Sequence, residues 1–282
     1  MDEYLIGDLV VQVPDCGINF YYGPYMEQFR CAGLQGYDMI QFSGRMDSLE
    51  NYLTRALEKD NGVYQPFLAG DERVLVYHWG KLRFAFAVKP DKFSALFDKR
   101  MAEQVPLNTD WFFGVCGLHR QLLNYGAPIL HASYIEWDNR AILFTAPSKT
   151  GKSTQAVLWE QYAQAKIING DRVLLRKKEG VWHAYGFPCC GSSKICINQT
   201  LPVFCIVVLE QGMENCVEEM NQIEKFRALA TGMEHQIGDE TETDMIFKLS
   251  EQIINEVRMV RLICRPDIDA VHCLKRYLER EG

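Results

Sequence analysis

The sequence predicts an α/β protein: a larger C-terminal part of alternating strands and helices, preceded by a smaller, mostly β region. Two observations carry this. After about residue 129, apolar runs of strand length alternate with stretches of helical period. Before about residue 108, short apolar runs follow one another between turn signals, with little helical spacing. The predicted regions are therefore 1–108 and 109–282.

In chain order, residues 5–13 form a mixed apolar run containing Gly7 and Asp8, stopped by Pro14. Runs 74–79 and 82–88 flank Gly80-Lys81, and a glycine at the first of two linking residues suits a hairpin. Trp111, Val115, Leu118 and Leu122 recur at helical spacing after a cap at Thr109 or Asp110, and Gly126 closes that helix. Residues 129–137 and 141–145 read as strands joined at Asp138-Asn139. A helix follows over about 152–164, then a short buried strand at 166–169. Residues 171–176 and 181–185 suggest a hairpin through Glu179-Gly180, and 202–209 another buried strand. Two late helices are expected, one carrying Met245, Leu249, Ile253 and Val257, the other Ile268, Val271, Leu274 and Leu278.

Composition narrows the class. Of the 282 residues, 48% are hydrophobic and 24% charged, enough apolar material for a core without disulfides or a structural metal. Lys and Arg number 30 against 37 Asp and Glu, a net charge of -7 with no basic run, which argues against a nucleic-acid partner. No apolar window of roughly 18 residues predicts a membrane span. The acidic start Met1-Asp2-Glu3 is unlike a signal or transit peptide, so a cytoplasmic protein is expected. The ten cysteines form no CxxC pair, and the spacing of His183, Cys189, Cys190 and Cys196 fits no common zinc pattern. They read as reduced thiols.

The informative segment is Ala146-Pro147-Ser148-Lys149-Thr150-Gly151-Lys152-Ser153-Thr154. It nearly matches the phosphate-loop pattern GxxxxGK[ST], with alanine at the first glycine, and lies between a predicted strand and a predicted helix. Such a loop bares backbone N–H groups around an anion, and the helix N-terminus adds its dipole. On this reading residues 148–154 (Ser148, Lys149, Thr150, Gly151, Lys152, Ser153 and Thr154) bind ATP. Lys152 meets the outer phosphates and Ser153 offers its hydroxyl to Mg²⁺. The carboxylate that Mg²⁺ also needs is expected from Asp171, at the end of the short strand before Asn169-Gly170-Asp171.

His131-Ala132-Ser133, then the loop, then Asn169-Gly170-Asp171 resembles the kinase domain of HPr kinase/phosphorylase, and the same order is similar to phosphoenolpyruvate carboxykinase. Tyr185-Gly186-Phe187-Pro188 with the residues to Lys194, Leu209-Glu210-Gln211-Gly212 and Arg265-Pro266-Asp267 resemble segments of HPr-kinase-like proteins from peptide-modification clusters. The resemblance covers roughly residues 125–282. It implies a P-loop kinase domain in which His131 lies near the transferred phosphate. It also implies a catalytic set of Lys152, Asp171 and His131, with Asp171 or His131 helping to deprotonate the acceptor. The chain departs from that pattern at Ala146 and Lys149, where the family has glycines. Either the backbone angles differ there, or affinity is lowered, or Lys149 adds a charge beside the phosphates. Gly170-Asp171 stands where HPr kinases carry paired aspartates.

The expected activity is ATP- and Mg²⁺-dependent transfer to a hydroxyl, serine first, of a peptide or protein such as a precursor peptide. The alternatives are a small-molecule kinase and a nucleotide-binding regulator without turnover. Segment 186–194, with glycines at both ends and Lys194 as its cation, is expected to be a mobile lid over the acceptor, Lys194 binding substrate.

Overall fold

The structure is a computed structural model. It describes all residues except 1, 14–19, 22, 50–54, 58–63, 70, 80–81, 90–91, 102–106, 236–239 and 282. The chain divides into two compact units, Met1–Gln121 and Leu122–Gly282. Among the described residues no helix is long and apolar enough to cross a membrane.

The first unit is mostly strand. One sheet has the order β4-β1-β2-β5, from β1 (Asp2–Ile6), β2 (Leu9–Val13), β4 (Arg30–Cys31) and β5 (Asp38–Gln41). A second has the order β6-β11-β10-β9-β8-β7. Its strands are β6 (Ser43–Asp47), β7 (Arg55–Ala56), β8 (Tyr64–Ala69), β9 (Glu72–Trp79), β10 (Leu82–Lys89) and β11 (Ser94–Asp98). A small pair joins β3 (Phe20–Tyr21) to β12 (Leu107–Asn108). The run at 5–13 is not one segment: Gly7 and Asp8, at φ 61° and 59°, turn it into the hairpin β1–β2. Both central residues of a type I′ turn need that left-handed region, which glycine and aspartate tolerate best. Strands β9 and β10 pair antiparallel, with Trp79 opposite Leu82; the linking Gly80-Lys81 lies outside the described residues. Beyond α1 (Gly23–Glu27), the helix expected from Trp111 to Leu122 is two helices, α2 (Thr109–Cys116) and α3 (Leu118–Asn124). The break is Gly117 at φ 82°, an angle no right-handed helix contains.

The second unit is α/β, built on one eight-stranded sheet. The long strand β13 (Ile129–Trp137) pairs on one side with β14 (Arg140–Thr145). On its other side β15 (Lys166–Asn169) takes one half and β16 (Arg172–Lys178) the other. From β16 the sheet continues through β17 (Val181–Tyr185) and β18 (Thr200–Gln211) to β20 (Met259–Cys264) and β19 (Cys216–Glu219). β14 also runs parallel to β18, and β18 parallel to β20. Five consecutive residues of β14, Ala141 to Thr145, are buried, as a strand covered on both faces requires. One face packs Ile142, Phe144 and Val207 against Trp159 of α4 (Lys152–Ala163) and Leu274 of α7 (Ile268–Glu281). The other packs Tyr134 and Leu143 against α5 (Gln222–Gly232) and α6 (Glu240–Glu256) through Leu229, Ile246 and Ile253.

Helix α5 and strands β19 and β20 were not expected. α5 opens with a capping box, the Asn221 side chain accepting from Glu224 N while Glu224 accepts from Asn221 N. Val257 lies just beyond α6, between that helix and β20.

Candidate functional site

The site is assembled at the ends of β14 and β15. Strand β14 ends at Thr145, whose Oγ1 donates to His131 O at 3.0 Å. The chain then turns through residues 146–151, with Lys149 at φ 67° and Gly151 at φ 123°. At Gly151 glycine is required. Lys149 takes the left-handed angle itself, at a strain of about 1–2 kcal/mol, so the lysine keeps a turn that a glycine would adopt freely. Among the described residues no side chain caps α4, so its first-turn N–H groups keep no side-chain partner. That leaves donors and the helix dipole for an anion.

Lys152 is 7% exposed and its Nζ donates to Ala146 O at 2.9 Å and Pro147 O at 3.3 Å. Burial lowers its pKa and the Asp171 carboxylate opposes that shift. Ser148, Lys149, Ser153 and Thr154 are exposed and Thr150 half-buried, its carbonyl accepting from Gln211 Nε2 at 3.2 Å. Ser153 Oγ lies 3.5 Å from Gly170 O, which also accepts from Ser133 Oγ at 3.0 Å. The loop and the Asn169-Gly170-Asp171 turn are therefore neighbours.

Asn169 builds that turn. It is fully buried; its Nδ2 donates to Phe187 O and Cys189 O at 2.8 and 3.1 Å. Its Oδ1 accepts from the backbone N–H of Asp171 and of Arg172 at 2.9 and 3.0 Å. Asp171 O accepts from Ala132 N at 3.0 Å, which fixes the residue beside β13. The carboxylate faces His131 Nδ1 at 3.6 Å and Arg172 Nη1 at 3.5 Å. Burial, then Lys152, push the His131 pKa down against the pull of Asp171, so the imidazole is neutral near pH 7.

The residues here are compatible with a bound cation. Both oxygens of Asp171 make only long contacts, and the Ser153 hydroxyl holds Gly170 O loosely, so these donors can be redirected. Among the described residues no three His, Cys, Asp or Glu side chains gather to hold a metal. One carboxylate and one hydroxyl suit Mg²⁺, which takes few protein ligands and shares phosphate oxygens and water.

Segment 186–194 differs from a free lid. Residues 186–190 are buried, held by Asn169 and by Gly186 N donating to Gln199 O at 2.9 Å. The outward part is the single 3₁₀ turn Gly191–Ser193 with Lys194, exposed at φ 56°. This turn touches the site: a β-carbon on Gly191 would stand 2.7 Å from Asp171 Cγ. The nearby cysteines 189, 190 and 196 are buried thiols.

A pocket of about 430 Å³ borders the loop, lined by Thr150, Gly151, Thr154, Gln211, Cys264 and Arg265 among others. Gln155 also lines it; its Nε2 donates to Cys264 Sγ at 3.3 Å, while its buried Oε1 has no partner among the described residues.

Among solved structures the chain is similar to the Hpr(Ser) kinase/phosphatase from Coxiella burnetii, at 12% identity and a TM-score of 0.25. That likeness covers 44% of this chain and 88% of that one. It is distant. No family model and no curated protein matches the chain. The chemistry therefore rests on the side chains.

Three residues of this cluster were not singled out from sequence: Asn169, Arg172 and Glu234, whose carboxylate engages Arg172 Nε. Asn169 lay in the quoted motif, and its burial at a strand end is what gives it a role. Arg172 follows Asp171 directly, but only the β13–β16 register, which sets it opposite His131, brings it to the site. Glu234 lies far along the chain and had no local signal.

Proposed function

We propose that the chain is an ATP-dependent, Mg²⁺-assisted kinase that phosphorylates a hydroxyl, serine first, on a peptide or protein. The observation that carries this reading is the convergence on the Gly170 turn. Ser153 from the start of α4 reaches Gly170 O, His131 from β13 faces the Asp171 carboxylate, and that carboxylate acts on the Lys152 charge.

On this reading the α4 N-terminus and Lys152 hold the phosphates, and the bordering pocket takes the nucleoside. Mg²⁺, when bound, neutralises phosphate charge, with Ser153 and Asp171 as its protein ligands. Lys152, now turned onto loop carbonyls, supplies its cation to the outer phosphates. Neutral His131 or Asp171 receives the acceptor proton. The Gly191–Lys194 turn faces the incoming acceptor, with Lys194 on its carboxylate or phosphate.

A second reading, a nucleotide-binding regulator without turnover, is favoured by one feature: Ser193 fills the space in which a side chain at residue 170 would lie. Calorimetric titration with Mg·ATP tests both. Wild type binds and Lys152→Ala loses about 10–100-fold in affinity, the worth of a charged hydrogen bond. Unchanged affinity in the variant removes the phosphate-loop assignment. Consumption of ATP with and without candidate peptides then separates kinase from regulator.

A further inference from the structure

Arg172 and His131 are cross-strand partners of β16 and β13 and project from one face of the sheet. The Arg172 cation is one reason the imidazole beside it stays neutral, and two carboxylates balance its charge. Glu234 engages Arg172 Nε, and Asp171 stands 3.5 Å from Nη1. Glu234 is itself anchored, its N–H donating to Ile129 O at 2.9 Å and Met233 bridging Leu130, so its carboxylate sits at a fixed place along β13. The two contacts differ in kind: Glu234 is close, and the Asp171 contact is too long for a hydrogen bond. A guanidinium has five donors in a planar fork, so Arg172 held at Nε still offers its outer edge to an oxyanion. That edge lies beside the carboxylate assigned to the metal. The side chain is 27% exposed, and burial there works against its charge while Glu234 and Asp171 more than restore it.

We propose that Arg172 is a ligand of the terminal phosphate of the bound nucleotide, and that Glu234 is the positioning residue that aims it. The inference rests on the nucleotide reading above. It goes further by giving the site a means of telling a triphosphate from a diphosphate. Lys152 and the helix terminus serve either nucleotide. Arg172, on the Asp171 side of the turn, serves only the third phosphate.

Calorimetric titration of ATP and ADP, each with Mg²⁺, into the full chain tests this without an acceptor. Arg172→Ala is expected to weaken ATP about 10–100-fold and ADP less than about threefold. Arg172→Lys keeps a cation against Glu234 and so guards against loss of the fold; it is expected to show the same ATP-selective loss at smaller size. Glu234→Gln is expected to lower ATP affinity alone, by less than Arg172→Ala. Equal losses for ATP and ADP, or none for either in both Arg172 variants, overturn the proposal while leaving the nucleotide site standing. Failure of the wild type to bind ADP as well as ATP overturns the nucleotide reading itself, and this proposal with it.

Discussion

Gly170 and Ser193 are packed so closely that a β-carbon on the glycine would stand 2.3 Å from both Cβ and Oγ of the serine. Ser193 is fixed in turn, its Oγ donating to Cys190 O at 2.6 Å and accepting from Ile195 N at 3.3 Å. A side chain at residue 170 and the present Gly191–Ser193 turn exclude each other. The turn is therefore one reason why Asp171 stands without an acidic neighbour at residue 170.

Gly170→Ala is accordingly expected to cost about 1–3 kcal/mol, the range for overpacking. Gly170 is outside the left-handed region, so the cost is steric, and Ser193→Gly in the same chain should return part of it. Urea unfolding of the two single variants and the double variant measures the coupling. Simple additivity would mean that the turn moves aside freely.

His131 has a folded-state pKa below its ordinary 6.5, from burial first and Lys152 second. The unfolded chain therefore takes the proton first as pH falls. The stability from keeping His131 neutral is complete above about pH 6.5 and is lost as pH drops toward the folded value. His131→Gln should lose less stability than wild type between about pH 7.5 and 5.5 in denaturant unfolding. Parallel pH curves for the two chains would show that the imidazole has no such linkage.

Asp171→Asn removes a charge whose neighbours His131 and Arg172 are both partly exposed, so it should change stability by no more than about 1 kcal/mol. Its effect on nucleotide binding should be larger. If Asp171 holds the metal, wild type binds ATP more tightly with Mg²⁺ than with chelator, and the variant loses that difference. A Mg²⁺ dependence retained in the variant would move the metal to other ligands.

The sequence made the strand–loop–helix segment legible because each part had a local cause. The unbroken apolar run of β14, Gly151 and the start of α4 all lie within a few turns of chain. The same holds for the Asp138-Asn139 and Glu179-Gly180 turns, whose positive φ values suit Asp138, Asn139 and Gly180, with Glu179 carried along by its glycine. Gly117 was passed over because its neighbours keep helical spacing on both sides of the break. Helix α5 had a legible start in Asn221 and Glu224, but its weak apolar pattern hid it. The Arg172–Glu234 pair was beyond reach, since it depends on strand register and on the return of the chain after α5.

Asn169 is the residue on which the rest of the site depends most directly. Its amide makes four hydrogen bonds, two holding the 187–189 backbone and two holding the N–H groups of Asp171 and Arg172. Asn169→Ala would take a donor from two buried carbonyls, Phe187 O keeping the Cys196 thiol, and an acceptor from two N–H groups. At about 1–3 kcal/mol for each group left unpaired, less whatever water regains, the loss should be several kcal/mol. Asn169→Asp separates the two sides of the amide. A carboxylate still accepts from Asp171 N and Arg172 N, but it sets an oxygen against Phe187 O and Cys189 O. The aspartate variant should therefore keep the Asp171 turn and release the segment before Gly191. Hydrogen exchange distinguishes these outcomes: protection lost over 186–190 but kept at 171 and 172 is expected for Asn169→Asp, and lost at both for Asn169→Ala. Equal protection in wild type and Asn169→Asp would mean that the 186–190 segment is held by its own contacts, and that Asn169 serves only the turn.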